Sequence, residues 1–214
     1  MKRMFLSLLL VSAAVSLMSQ NIISLPKPNK NVKMTLFESL QLRHSVRSYM
    51  TKEVDDATLS QVLWAACGYN RPADKKITAA SAVNAQDIEI YVVRSSGAYL
   101  YDRAENGLVL VTDRDLRTLV AGAQQAMADA PLMLVLVSNR DNFKKLNDEK
   151  AAERMGMMDV GYVSQNIYLA CTSLGLGTVA RATMDTKKLA EELKLSVNRV
   201  PLVNHPIGWE LVAK

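Results

Sequence analysis

The sequence predicts a single domain of the α+β class. Helical and strand-like stretches follow one another in mixed succession along the chain. An unbroken apolar run over residues 131–138 predicts a central strand that is buried on both faces. The 214 residues, of which 49% are hydrophobic and 22% charged, are sufficient for a globular core.

Residues 1–19 have the layout of a secretory signal peptide. Two basic residues at positions 2 and 3 precede an apolar run over 4–18, and small and polar residues follow. A run of about fifteen apolar residues is short for a bilayer span. We therefore expect cleavage after Ser19 and a periplasmic or secreted protein with no stable membrane insertion. An uncleaved membrane anchor is the alternative.

Residues 20–33 are interpreted as a flexible linker, because they are rich in proline, asparagine and lysine without any period. The folded domain is then expected to span residues 34–214. Its first helix is predicted to begin at Leu36, since Thr35 can cap it and Glu38 stands three residues after the cap.

The other elements are predicted from periodicity and turn residues. Asp55 or Asp56 is expected to cap a helix that Gly68 ends. The longest helix, over residues 149–173, is apolar nearly all round, which predicts the core on one side and a second subunit on the other. The remaining predictions are a polar connection over 69–87, a strand over 88–93, a hairpin over 97–101 and 107–111, a helix over 115–127, a strand over 178–182, a helix over 187–194 and strands over 200–203 and 207–212 that are broken at His205-Pro206.

Composition argues against two classes of function. Aromatic residues are only 6% of the chain and the net charge of +5 is scattered, so we expect no nucleic-acid partner. The chain has two histidines, which makes a metal site improbable. Cys67 and Cys171 stand in apolar helical stretches and are predicted to be buried free thiols, although they could pair in an oxidising compartment.

The segment Arg43-His44-Ser45-Val46-Arg47 is the first candidate binding site. The planar fork of an arginine side chain matches a phosphate or a carboxylate. If the segment forms a helical turn, Arg43 and Arg47 share a face and can hold one anion, to which Ser45 adds a neutral hydrogen bond. The alternative is a solvated basic turn at the end of a helix.

Five segments in order resemble the flavin-dependent nitroreductase family, particularly its thiazoline-oxidase-like branch. These segments, within about residues 35–212, are Arg43–Tyr49, Leu63–Arg71, Ser81–Gln86 with the strand after it, Asp159–Thr178 and Pro201–Trp209. The resemblance implies a nitroreductase-like α+β fold with a mixed central sheet flanked by helices. It also implies an intertwined homodimer that binds flavin mononucleotide (FMN) in each groove between subunits.

The resemblance also assigns residues to the cofactor. Residues 43–47 would hold the phosphate and ribityl chain, residues 81–86 would line the flavin, and the main chain at 179–181 would approach the reactive ring nitrogen. The implied cofactor-binding set is Arg43, His44, Ser45, Arg47, Ser81, Ala82, Val83, Asn84, Gln86, Val179, Ala180 and Arg181. Asn84 and Gln86 could instead cap the loop. The Arg181 side chain could stabilise a reduced ring or be a surface charge.

The sequence departs from the family pattern at three places. Ala80 replaces the usual proline before Ser81, and Asp87 follows Gln86 where a proline is usual, which we expect to put an acidic residue near the site entrance. The basic C-terminal extension of some members is missing after Lys214. Phosphate binding is then expected to depend on the two arginines and on another basic residue from the partner subunit.

The expected function is an FMN-dependent oxidoreductase that transfers hydride or two electrons to or from a small organic substrate by a ping-pong mechanism. Such chemistry needs no catalytic side chain, because the cofactor carries the hydride. The alternative is an exported flavin-scaffold module that binds without turnover. NAD(P)H is a possible electron donor, but a doubtful one outside the cytoplasm.

Overall fold

The computed structural model describes residues 22–211, so the predicted signal peptide lies outside the described residues. The strands are β1 (Ile22–Ser24), β2 (Tyr69–Arg71), β3 (Lys76–Ile77), β4 (Ile88–Arg94), β5 (Gly97–Asp102), β6 (Gly107–Thr112), β7 (Leu132–Asn139), β8 (Leu176–Thr178) and β9 (Arg199–Trp209). The helices are α1 (Leu36–Leu42), α2 (Asp56–Cys67), α3 (Arg117–Ala121), α4 (Glu149–Ser173) and α5 (Thr186–Glu192).

Seven strands form one sheet in the order β1-β6-β5-β4-β7-β9-β8, and β2 pairs with β3 separately. Helices flank this sheet, which confirms the predicted α+β class. Each described pairing of the large sheet is antiparallel, whereas a mixed sheet was predicted.

Two hydrophobic cores lie on opposite faces of the sheet. One contains buried residues of α2 and α4, and the other contains buried residues of α3 and α5. Along β7, Leu134 and Leu136 enter the first core while Met133 and Val135 enter the second. This alternation explains why the strand has no polar face and confirms that it is buried on both sides.

The best-predicted elements are helices with local capping signals. The Thr35 hydroxyl accepts from the Glu38 N–H in a complete capping box. Asp55 caps α2, which ends before Gly68. Cys67 and Cys171 are both buried free thiols, as predicted. Among residues 22–211, no helix combines the length and apolarity needed to span a bilayer.

The linker prediction is wrong at residues 22–25. β1 pairs with β6 in a register that sets Ile22 opposite Val109, and Leu25 after it is only 7% exposed. The edge strand is held by a partner more than eighty residues further along the chain. No local period in the sequence reports such a long-range pairing.

Two predicted elements are longer than the observed ones. The helix predicted over 115–127 ends early, because Gly122 adopts a φ of 57° after α3 and only a 3₁₀ turn over 125–129 follows. The strand predicted over 178–182 is β8, which ends at Thr178, and beyond it Arg181 makes only an isolated bridge to Asn204.

β9 is continuous, although a break at His205-Pro206 was predicted. The Pro206 carbonyl accepts from the hydroxyls of Thr178 and Tyr49, so it points toward β8. In a strand the backbone nitrogen and carbonyl of one residue point to the same side, so the Pro206 nitrogen also points away from β7. β8 has already ended there. The missing proline N–H therefore costs no ladder hydrogen bond to β7.

Gly177 allows β8 to approach the candidate segment 43–47. A Cβ atom at this position would lie 2.5 Å from Cγ1 of Val46, whose N–H donates to the Thr178 carbonyl. We expect Gly177→Ala to lower the free energy of unfolding by about 1–3 kcal/mol through overpacking. Chemical denaturation measures this change.

Lys187→Ala is the control, because this exposed side chain of α5 lies outside the close approach at Gly177. Alanine is a slightly better helix former than lysine, so this variant should be about as stable as the parent. Equal stability of Gly177→Ala and the parent would contradict the close approach.

Candidate functional site

The segment 43–47 is an irregular stretch that follows α1, not a helical turn. The two arginines therefore do not share a helical face. Val46 is buried, and its N–H donates to the Thr178 carbonyl at 3.0 Å, while Ser45 and Arg47 are exposed. A buried anchor thus holds a segment that presents polar side chains to solvent.

Tyr168 of α4 joins two of the predicted regions. Its hydroxyl lies 3.2 Å from Ser45 Oγ and accepts the Ala180 N–H at 2.8 Å. The Arg43 guanidinium lies 5.0 Å from the centroid of its ring. No motif in the sequence singles out Tyr168, because an aromatic residue in an apolar helix gives no signal of a polar role.

His44 makes two side-chain contacts within the protein. Its Nδ1 lies 2.9 Å from the Leu42 carbonyl and its Nε2 lies 3.0 Å from Glu210 Oε1. The Leu42 carbonyl, followed by Glu210, raises the pKa of this exposed imidazole. The contact links the candidate segment to the chain just beyond β9.

The loop over residues 81–86 is tied to α4 through Asp159. The Ser81 hydroxyl donates to Asp159 Oδ2 at 2.9 Å, and the Ala82 N–H donates to the same carboxylate. Ser81 Oγ also accepts the Gln86 N–H at 2.7 Å. Ser81 therefore holds the loop in shape, and its assignment to the flavin stays a prediction.

Three residues of this loop have left-handed backbone conformations. The φ angles are 47° at Val83, 55° at Asn84 and 49° at Gln86. The conformation is especially unfavourable for β-branched Val83, which is 65% exposed. Such strain is concentrated at binding and catalytic sites.

The Gln86 side chain supports the loop. Its amide nitrogen donates to the Lys75 carbonyl at 2.7 Å and to Asn84 Oδ1 at 3.3 Å, and its oxygen accepts from Arg103. These contacts favour the loop-capping interpretation of Gln86 over a direct contact with a ring edge.

Asp87 is fully buried, so the expectation that it lies near the site entrance is wrong. Its Oδ2 accepts the Ser138 hydroxyl at 2.5 Å, while Oδ1 has no hydrogen-bond partner. Burial raises the pKa of Asp87 to about 7, and the nearby Asp159 carboxyl acts in the same direction while Ser138 opposes it. A Cβ at Gly156 would lie 3.2 Å from Asp87 Oδ2, so this glycine makes room for the buried acid.

Arg181 is buried, and its guanidinium points into the fold. Nε donates to Gln124 Oε1 at 2.8 Å, Nη1 to Asn204 Oδ1 at 2.9 Å and Nη2 to the Ala121 carbonyl at 2.6 Å. Burial lowers the pKa of this guanidinium. The side chain is neither a surface charge nor free for a ring edge, while Val179 before it is buried in the second core.

His205 is a buried residue of β9, at the position where a break between two strands was predicted. Its Nε2 lies 2.8 Å from Ser164 Oγ and its Nδ1 lies 3.1 Å from Thr178 Oγ1. Burial lowers its pKa to about 3, so the ring stays neutral at physiological pH. Within residues 22–211, no group of three or more His, Cys, Asp or Glu side chains could hold a metal ion.

No hydrogen bond among the described residues joins loop 81–86 to segment 43–47 within one chain. Loop 81–86 is attached at Asp159, whereas segment 43–47 and Ala180 meet at Tyr168. These α4 residues are nine positions apart, or about 13.5 Å along a helix at 1.5 Å per residue.

A family model described as the nitroreductase family matches residues 40–209. The chain belongs to the nitroreductase family. It is 32% identical over 188 residues to a protein of Methanocaldococcus jannaschii assigned as a nitroreductase, covering 84% of this chain and 93% of that protein. Members of this family are oxidoreductases, and this protein is one of them.

Solved structures agree with this assignment. A crystal structure from Ralstonia eutropha JMP134, assigned as a nitroreductase, matches with a TM-score of 0.84 and 32% identity over 92% of each chain. A structure from Clostridium acetobutylicum, assigned as an NADH oxidase, matches with a TM-score of 0.60 and 22% identity over 82% of this chain and 89% of that one. The second likeness shows the nitroreductase fold alone.

Asp87 makes the stability of this nitroreductase depend on pH. Between an ordinary carboxyl pKa near 4 and about 7, the folded state holds one proton more than the unfolded state. The free energy of unfolding should therefore fall as pH rises through this interval, by about 1.4 kcal/mol per unit of pKa difference.

Asp87→Asn removes the ionisation and should be less sensitive to this pH change. Urea unfolding at pH 5 and pH 8 measures both proteins, with the exposed Asp74→Asn as the control that should follow the parent. A parent protein and an Asp87→Asn variant with the same pH dependence would show that Asp87 does not carry the effect.

Proposed function

We propose that the protein is an FMN-dependent oxidoreductase that transfers two electrons, as hydride, to or from a small organic substrate such as a nitroaromatic or a quinone. The observation that carries the proposal is the meeting of Arg43, Ser45 and the Ala180 N–H at Tyr168, in a chain of the nitroreductase family.

The residues present fit FMN. A phosphate monoester carries nearly two negative charges, which Arg43 and Arg47 can neutralise while Ser45 donates a hydrogen bond. The exposed, strained backbone at Val83 and Asn84 gives a second surface that a planar ring can approach. When bound, FMN supplies the two-electron chemistry, and the protein supplies binding and orientation.

The side chains of this protein have binding roles in the proposed reaction. Arg43 and Arg47 bind the anionic end of the cofactor, and the main chain near Ala180 orients its ring. The substrate and the electron donor bind in turn at the same exposed face, which gives ping-pong kinetics. The leader-like residues 1–19 support export, and an exported enzyme has little access to NAD(P)H as its donor.

We also propose a homodimer, in which loop 81–86 of one subunit meets segment 43–47 of the other. The distance along α4 supports this arrangement, because within one subunit the two regions are attached to separate parts of this helix. Exposed apolar side chains on α1 and α4 support it as well. They are Leu36, Phe37, Leu40, Leu42, Met157, Met158 and Tyr162.

Gly161 lies on the same exposed side of α4. A glycine inside a helix costs about 1 kcal/mol relative to alanine, and no atom of this chain lies within 4 Å of its Cβ position. The close approach of a second helix accounts for a glycine at this place.

The alternative, flavin binding without turnover, would be favoured by an acidic residue near the site entrance. Asp87 is buried under the loop, so this ground for the alternative is removed. No contact among the described residues favours it over the enzyme.

Arg43→Ala and Arg47→Ala should each weaken FMN binding about ten- to a hundredfold, because charge-assisted hydrogen bonds contribute roughly 1.5–3 kcal/mol. Fluorescence titration of the apoprotein measures the dissociation constants. Arg114→Ala is the matched control, since this exposed arginine pairs with Glu192. Arginine variants that bind FMN as tightly as the parent would refute the phosphate assignment.

Gly161→Glu should dissociate the dimer, because it puts a charged side chain where two helices approach. Sedimentation velocity should give a dimer for the parent and a monomer for the variant. Lys187→Glu on α5, in the opposite layer, is the control that should remain dimeric. A monomeric parent protein would overturn the proposed dimer.

A further inference from the structure

We propose that Tyr168 is a positioning residue that couples the phosphate-binding segment to the main chain at Ala180. This inference rests on the proposed function, since both regions would contact one FMN molecule. Tyr168 acts through Ser45, Arg43 and Ala180, and it need not touch the cofactor.

The directions of the hydrogen bonds define the coupling. The Ala180 N–H can only donate, so the Tyr168 oxygen accepts at 2.8 Å. The Tyr168 O–H is then available to donate to Ser45 Oγ at 3.2 Å, which leaves the Ser45 hydrogen free for an anion. Hydrogen bonds in such a chain polarise and strengthen one another.

The ring of Tyr168 adds a second contact with the same segment. The Arg43 guanidinium lies 5.0 Å from the ring centroid, within the range of a cation–π interaction. An arginine that is oriented before the anion arrives loses less conformational entropy on binding. The same tyrosine therefore restrains both a charged and a neutral phosphate donor.

The position of the Tyr168 ring is itself stabilised by His205. Its ring meets His205 edge-on, with centroids 5.3 Å apart and an interplanar angle of 80°. His205 is fully buried between the hydroxyls of Ser164 and Thr178. Thr178 also binds the segment over 43–47, because its carbonyl accepts the Val46 N–H. One of the residues that support Tyr168 therefore contacts the binding segment as well.

Tyr168→Phe tests the coupling, because it keeps the ring beside Arg43 and His205 and removes only the hydroxyl. The Ala180 N–H and Ser45 then lose their shared partner. The phosphate should contribute less to binding, even though no residue assigned to phosphate has changed.

The experiment compares FMN with riboflavin, which lacks the phosphate. Fluorescence titrations of the dimeric apoprotein give the ratio of the riboflavin to the FMN dissociation constant for the parent, Tyr168→Phe, Ser45→Ala and the double variant. We expect Tyr168→Phe to lower this ratio about three- to tenfold. The double variant should lower this ratio by less than the product of the two single effects. Tyr101→Phe, which loses a hydroxyl contact to Asn106 elsewhere, should leave the ratio unchanged.

Two results would overturn the inference alone. In the first, Tyr168→Phe weakens both flavins equally and leaves the ratio unchanged, as a merely structural role predicts. In the second, the Ser45 and Tyr168 effects multiply independently. If Tyr168→Phe does not fold, Ser45→Ala decides, because an unchanged ratio in this exposed variant removes the proposed path. A parent that binds neither flavin refutes the proposed function itself, and the inference falls with it.

Discussion

The long helix α4 must bury one side against the sheet, and the candidate site depends on this packing. Val160, Val163 and Ile167 enter the core and fix the rotation of the helix about its axis. That rotation sets Asp159 beneath the loop over 81–86 and Tyr168 beside the segment over 43–47. Hydrophobic burial is not directional, but by fixing the rotation of α4 it orients polar groups whose hydrogen bonds are directional.

The sheet fixes the main chain that follows β8. β9 is paired on both sides, and its His205 and Pro206 accept or share hydrogen bonds with Thr178 at the end of β8. The chain then passes to Ala180 and to the buried guanidinium of Arg181, which is satisfied by neutral oxygens. The main chain at 179–181 is therefore fixed by the protein before any ligand binds.

The sequence was informative wherever the signal is local. Thr35 and Asp55 cap their helices through residues three positions away, and the bounds of α4 follow from its period and from the glycine after it. The sheet edge at β1 and the course of β9 through Pro206 depend on distant partners. No spacing within either stretch could reveal them.

The candidate site also contains features with a local sequence signal and features that depend on distant residues. The motifs named most of the residues, but not the structural role of Ser81 and Arg181, whose polar groups bind the protein itself. Tyr168 was missed because its role requires Ser45 and Ala180, which are far apart in sequence, to meet on one face of α4. Side-chain chemistry can be read from a sequence, whereas the direction of a side chain depends on tertiary packing.

The double burial of β7 has a mechanical consequence for the whole domain. Its side chains alternate between the two hydrophobic layers, so neither layer can loosen without exposing part of the same strand. The layers should consequently melt together as one cooperative unit, while the edge strand β1 can fray without disturbing them.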